Sequence, residues 1–131
     1  MDFRRRNQLG GDGSGDVLIR FAKGEMKSAI ADFTRAIEIN PRHAAAYNNR
    51  GGVELESGNL DRAIADFDHA IKLDPRMARA YLNRGTARLL QGQEDASQRD
   101  FARYLRLKPD LQPVIEQRIK AIKEWRKTSN Q

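Results

Sequence analysis

The segment ADFTRAIEINPRH around Phe33 returns as ADFDHAIKLDPRM around Phe67 and, more loosely, as RDFARYLRLKPDL around Phe101, the three phenylalanines being evenly spaced along the chain. The stretch upstream keeps the same register. AAAYNNRGGVELESGNLDRA reappears as ARAYLNRGTARLLQGQEDAS, so the same offset links Tyr47 to Tyr81, Arg50 to Arg84, Gly51 to Gly85 and Gly58 to Gly92. A fixed period constrains the fold more than any composition does. A unit this short cannot bury its own apolar face, so successive units must stack and cover one another.

Each unit reads as two helices. Tyr47, Gly51, Val53 and Leu55 lie in a first helix that Ser57-Gly58-Asn59 breaks. Leu60, Ala63, Ile64, Phe67, Ala70 and Ile71 follow at spacings of three and four, the apolar stripe of a second amphipathic helix, which Asp74-Pro75 ends. Gly51 and Ala63 are small where the two helices must approach closely. Composition agrees: 39% of the 131 residues are apolar, 32% are charged and few are aromatic, which suits one helical domain of ordinary size.

The pattern resembles the tetratricopeptide repeat family, whose unit of about 34 residues runs W-x2-L-G-x2-Y, then A-x3-F, then Pro. Tyr47, Gly51, Ala63, Phe67 and Pro75 fill those positions in the middle repeat, and Tyr81, Gly85, Phe101 and Pro109 in the third. Ser97 and Tyr104 replace small residues there, which places the third repeat's second helix slightly further out. The first repeat keeps Gly24, Ala29, Phe33, Ala36 and Pro41 but has Gly13, Asp16 and Val17 where Trp, Leu and Gly belong, so its first helix is degenerate or short. Arg50 and Arg84 stand where the family usually has Leu, and Glu54 and Arg88 where it has Tyr. The resemblance implies an all-α solenoid of about three helix-turn-helix repeats, at about 10–43, 44–77 and 78–111.

The flanks differ from the repeats. Residues 1–15, with Gly10-Gly11-Asp12-Gly13-Ser14-Gly15, lack apolar periodicity and are expected to form a disordered leader to a domain spanning 16–128. Pro113 suits a first helical turn, and Ile115, Ile119 and Ile122 define one face of a capping helix over 112–128, with 129–131 as a tail. That cap is expected to cover the apolar side of the third repeat's second helix, including Leu105. Arg118, Lys120, Lys123, Arg126 and Lys127 give it a polar outer face.

Catalytic and metal chemistry finds little support. Cysteine is absent, which removes thiolate catalysis, disulfide scaffolds and cysteine zinc sites. Asp12-Gly13-Ser14-Gly15-Asp16 has the alternating oxygens of a calcium loop, but Val17 and Lys23 stand where Gly and a bidentate Glu are needed. The same glycines lack the Gly-Lys-Ser/Thr ending of a phosphate cradle. His43 falls in a turn and His69 on the outside of a second helix, both read as solvated. No metal, cofactor or enzyme activity is expected. No apolar run approaches a membrane span, no secretory signal follows Arg4-Arg5-Arg6, and the expected setting is the cytoplasm. Nothing in the pattern sets an oligomeric state.

The expected work is protein interaction. In the family, first helices line a concave groove that takes an extended peptide or a partner helix. The matching positions here are Asn48, Asn49, Gly52 and Glu56, then Arg79, Leu82, Asn83, Thr86 and Leu90. Asn can donate to and accept from an extended backbone at once. A subgroup of the family clamps the C-terminal carboxylates of heat-shock chaperones with Lys and Asn, Asn, then Lys and Arg. Asn49 and Arg79 fit that clamp, but Ser14, Leu18 and Asn83 do not, so tail capture is not expected. Charge points to the partner's chemistry: residues 44–77 hold four Lys/Arg against six Asp/Glu, residues 78–111 seven against four, and residues 112–131 five against two. A basic C-terminal half favours an acidic segment of another protein by long-range steering. The alternative is nucleic acid or an anionic surface at that basic half. Dispersed basic residues, and aromatics committed to the repeat core, argue against nucleic acid.

Overall fold

The computed structural model describes residues 23–129. They form α1 (Lys23–Ile39), α2 (Ala44–Glu56), α3 (Leu60–Leu73), α4 (Ala78–Leu90), α5 (Glu94–Leu107), a 3-10 turn (Pro109–Leu111) and α6 (Gln112–Ser129), with no strand among the described residues. The expected leader, the first helix of the first repeat, and Ser14 and Leu18 lie outside them. The result is an all-α solenoid: α2 with α3 and α4 with α5 form two hairpins, α1 packs before them and α6 after.

The turns follow from local chemistry. Gly58 and Gly92 hold φ of +88° and +85°, left-handed values that favour glycine. Each ends its helix in a Schellman motif: Gly58 N–H donates to Leu55 O and Asn59 N–H to Glu54 O, and Gly92 and Gln93 repeat this toward Leu89 and Arg88. At the junction between units, the Arg76 amide donates to Asp74 Oδ1 at 3.1 Å. The Tyr81 hydroxyl donates to Pro75 O at 2.9 Å and that of Tyr47 to Pro41 O at 3.2 Å. The tyrosine in the family's Trp position therefore ties each first helix to the turn before it.

Close approach explains the other repeated glycines. A Cβ built on Gly51 would stand 2.6 Å from Phe67 Cε1, and one on Gly85 2.9 Å from Phe101 Cε1. Ala63 and Phe67 are fully buried, so each hairpin is locked by a phenylalanine seated on a bare helix backbone. The cap joins the core of the third repeat. Ile115 and Ile122 share one buried cluster with Ala78, Tyr81, Leu82 and Leu89 of α4 and with Phe101 and Tyr104 of α5, and the α6 backbone runs closer to α4 than to α5. Leu105 only borders this cluster. Ile119 stands at the register position of Gly51 and Gly85, so α6 lacks the glycine that admits a second helix at close range. Among the described residues no helix is long and apolar enough to cross a membrane.

Candidate peptide-binding face

Arginine in an apolar register position demands an explanation, because a lone buried charge is costly. Arg50 Nε and Nη2 donate to Asp66 Oδ2 and Oδ1 at 2.8 and 2.7 Å, and Nη1 reaches Thr34 Oγ1 at 3.2 Å. One unit later Arg84 repeats the fork on Asp100 at 3.0 and 2.7 Å, with Nη1 on Asp68 at 2.8 Å. Arg88 Nη1 adds a third bond to Asp100 at 3.0 Å. Each fork joins a first helix to its own second helix, and Nη1 reaches back to the previous one. The guanidinium also lies over the tyrosine one turn earlier, 5.8 Å from the ring centroid in both repeats.

These pairs set the local electrostatics. The hydrogen bonds to Asp66 raise the Arg50 guanidinium above its ordinary value, against the opposing effect of burial. At Arg84 burial is the largest single effect and works against the charge, but Asp100 and Asp68 together outweigh it and the net direction is again upward. The signal was present in the sequence as an Arg and an Asp at one repeated separation, at 50 and 66 and at 84 and 100. The Arg-for-Leu departures at 50 and 84 and the aspartates at 66 and 100 are two halves of one feature. Glu54, at the register position of Arg88, is buried, and its Oε2 accepts no hydrogen bond among the described residues. The exposed Arg62 lies 3.9 Å from that oxygen.

The expected contact residues divide into two groups. Asn48, Gly52, Leu82 and Thr86 are buried, whereas Asn49, Arg79 and Asn83 are half-buried. Asn48 is 1% exposed and accepts a bond from Asn83 Nδ2 at 3.2 Å, which joins α2 to α4. Asn83 thus pairs with the neighbour of its register counterpart, Asn49. The Thr86 hydroxyl donates to Leu82 O at 2.8 Å, and Leu82 packs with Ile115 and Ile122 of the cap. Of the further positions, Glu56 is buried and Leu90 half-buried. Asn48 is thus covered where α4 meets α2, and Leu82 where α6 meets α4.

Arg79 differs from the other arginines of the first helices. Arg50, Arg84 and Arg88 pair with aspartates, whereas Arg79 has no ion pair or hydrogen bond among the described residues. A half-buried, uncompensated guanidinium on α4, with amides at Asn49 and Asn83, can donate a charge-assisted bond to a carboxylate and neutral bonds to a peptide backbone.

Comparison with known proteins gives matches that agree with this architecture. The family model for the tetratricopeptide repeat matches twice, over residues 17–75 and 53–111. The chain is similar to the second TPR of Spaghetti (RPAP3) bound to the HSP90 peptide SRMEEVD, with 28% identity over 79% of this chain and 87% of that one and a TM-score of 0.63. It is also similar to the second TPR domain of human RPAP3 in complex with the HSP70 peptide SGPTIEEVD, with 30% identity, 77% and 83% coverage and a TM-score of 0.69. The Arabidopsis OM64 TPR domain matches with 27% identity, 90% and 91% coverage and a TM-score of 0.69. Curated protein sequences give no match.

Proposed function

The chain belongs to the tetratricopeptide repeat family, and from that premise we propose that it is an adaptor whose first helices hold an extended acidic segment of another protein. Arg79 carries the reading, as the one arginine of α2 and α4 that no aspartate among the described residues neutralises. In a partly buried site such a cation is a standing demand for an anion. Asn83 follows Arg79 by one turn on α4 and Asn49 holds the counterpart position on α2, each with an amide suited to a peptide backbone, and the buried Asn48 holds Asn83 in place. The similar structures with bound HSP90 and HSP70 peptides support a peptide ligand, since both peptides end in Glu-Glu-Val-Asp.

The ligand's free C-terminus is not required in this reading. Ser14, Leu18 and Asn83 hold three positions of the family's carboxylate clamp without supplying its residues, so side-chain carboxylates must provide the charge.

The test titrates fluorescein-labelled SRMEEVD, as free acid and as C-terminal amide, against the whole chain and its Arg79→Ala variant. Both peptides should bind alike, and Arg79→Ala should weaken them by about 1.5–3 kcal/mol, the worth of one charge-assisted bond. Unchanged affinity in the variant ends the reading. Binding of the free acid alone would establish tail capture in its place.

A further inference from the structure

Arg99, Arg103 and Arg106 follow one another along α5 at i, i+4 and i+7 and are all exposed. That spacing sets them on one face. None has a carboxylate in ion-pair range among the described residues, in contrast to the arginines between the helices. Of the acids of α5, Asp100 is buried beneath Arg84 and Arg88, Glu94 lies 3.9 Å from Lys123, and Asp95 stands one turn before Arg99 in the first turn of the helix without coming within ion-pair range of it among the described residues. Arg103 lies over the Tyr81 ring, 5.7 Å from its centroid, which restrains the middle member of the row. Lys72 is exposed on α3 at the register position of Arg106, and it too has no acidic partner among the described residues. The corresponding positions of α1 are Ala31, Arg35 and Glu38, so the row of three arginines is a property of the third repeat.

We propose that this outer face of α5 is a second binding surface, which takes an acidic helix of a partner protein with carboxylates at i, i+4 and i+7. At about 1.5 Å of rise per residue the three arginines are spaced by about 6.0 and 4.5 Å along the axis, and Glu or Asp on a facing helix repeats those intervals. A guanidinium fork matches a carboxylate in two-bond geometry better than a lysine does. Nucleic acid fits less well, because Tyr81, Phe101 and Tyr104 are buried and leave this face no platform on which bases could stack. A membrane fits less well too: Ala102 is the exposed apolar residue within the row, too small to anchor in an acyl layer. The surface uses none of the residues of the proposed groove. An adaptor built this way holds one acidic chain on its first helices and another on α5.

Fluorescence anisotropy tests this on the whole chain, with a labelled helical peptide bearing Glu at i, i+4 and i+7 and a second peptide of the same composition in scrambled order. The patterned peptide should bind about tenfold more tightly than the scrambled one, and R99E/R103E/R106E should weaken it at least about tenfold. Arg79→Ala should leave it unchanged, which separates this surface from the groove. R99Q/R106Q, which keeps Arg103 on Tyr81, should still weaken binding severalfold if the triple variant does not fold. Equal binding of both peptides, insensitivity to the R99Q/R106Q change, or stronger binding to oligouridylate or phosphatidylserine vesicles would overturn the proposal.

Discussion

Arg84 and Asp100 face each other across the α4–α5 hairpin in a two-pronged ion pair, with Nη2 and Oδ1 2.7 Å apart, and Arg88 closes on the same carboxylate one turn further along α4. Asp100 is 3% exposed, so three charges share a partly dry space with one carboxylate at its centre. Asp100→Ala should therefore cost about 3 kcal/mol, because it strands Arg88 and leaves Arg84 with Asp68 as its one remaining carboxylate among the described residues. Adding Arg84→Leu should recover part of that loss, since the family pattern shows that an apolar side chain suits the position. Urea denaturation of wild type, single and double variants measures both values, and a double variant weaker than Asp100→Ala would show that Arg84 is supported by its other bonds alone.

The adjacent glycines of α2 should respond in opposite directions to the same substitution. Gly51→Ala forces a Cβ to within 2.6 Å of Phe67 Cε1 and should destabilise by about 1–3 kcal/mol through overpacking. Gly52→Ala meets no heavy atom within 4 Å and should stabilise by about 0.5–1 kcal/mol, because alanine loses less backbone freedom in a helix. Paired thermal melts decide it.

The cap should be integral to folding. Ile122 is fully buried, and Ile122→Ala should cost about 2–4 kcal/mol as a cavity opens against α4. Deleting residues 112–131 uncovers Tyr81, Leu82 and Leu89 together and should give aggregation, read by light scattering. A monomeric truncation with an unchanged melting temperature would contradict the docking of α6.

Asn83 should matter to stability as well as to binding. Asn83→Ala removes the donor to Asn48 Oδ1, and because Asn48 is buried the change should cost about 1–2 kcal/mol. Asn49→Ala, with no such partner among the described residues, should cost about 0.5 kcal/mol or less. Equal effects of the two would mean that the amide pair is not a rung between α2 and α4.

The second-helix stripes, the breaks at Gly58 and Gly92 and the bare backbone at Gly51 and Gly85 were legible because each is a local consequence of residue type. Helical periodicity makes a buried face, a left-handed turn wants glycine, and a phenylalanine on the following helix needs a gap to enter. These local rules recur in the second and third units at the same register, and so they fix an all-α stack without reference to any distant contact.

The site was less legible, because exposure and charge pairing belong to pairs of helices. Asn48, Gly52, Leu82 and Thr86 occupy the same kind of register position as Asn49, Arg79 and Asn83, yet burial separates them according to where α6 and the neighbouring first helix come to rest. Arg79 and Arg84 lie on one helix, and sequence gives both the same charge. Only the packed structure brings Asp100 and Asp68 against Arg84 and leaves Arg79 without a partner among the described residues, because a carboxylate distant along the chain becomes a neighbour when the hairpin closes. The sequence by itself determined the helices, their order and their repeat. Tertiary packing decided which cations are neutralised inside the array and which remain to meet another molecule.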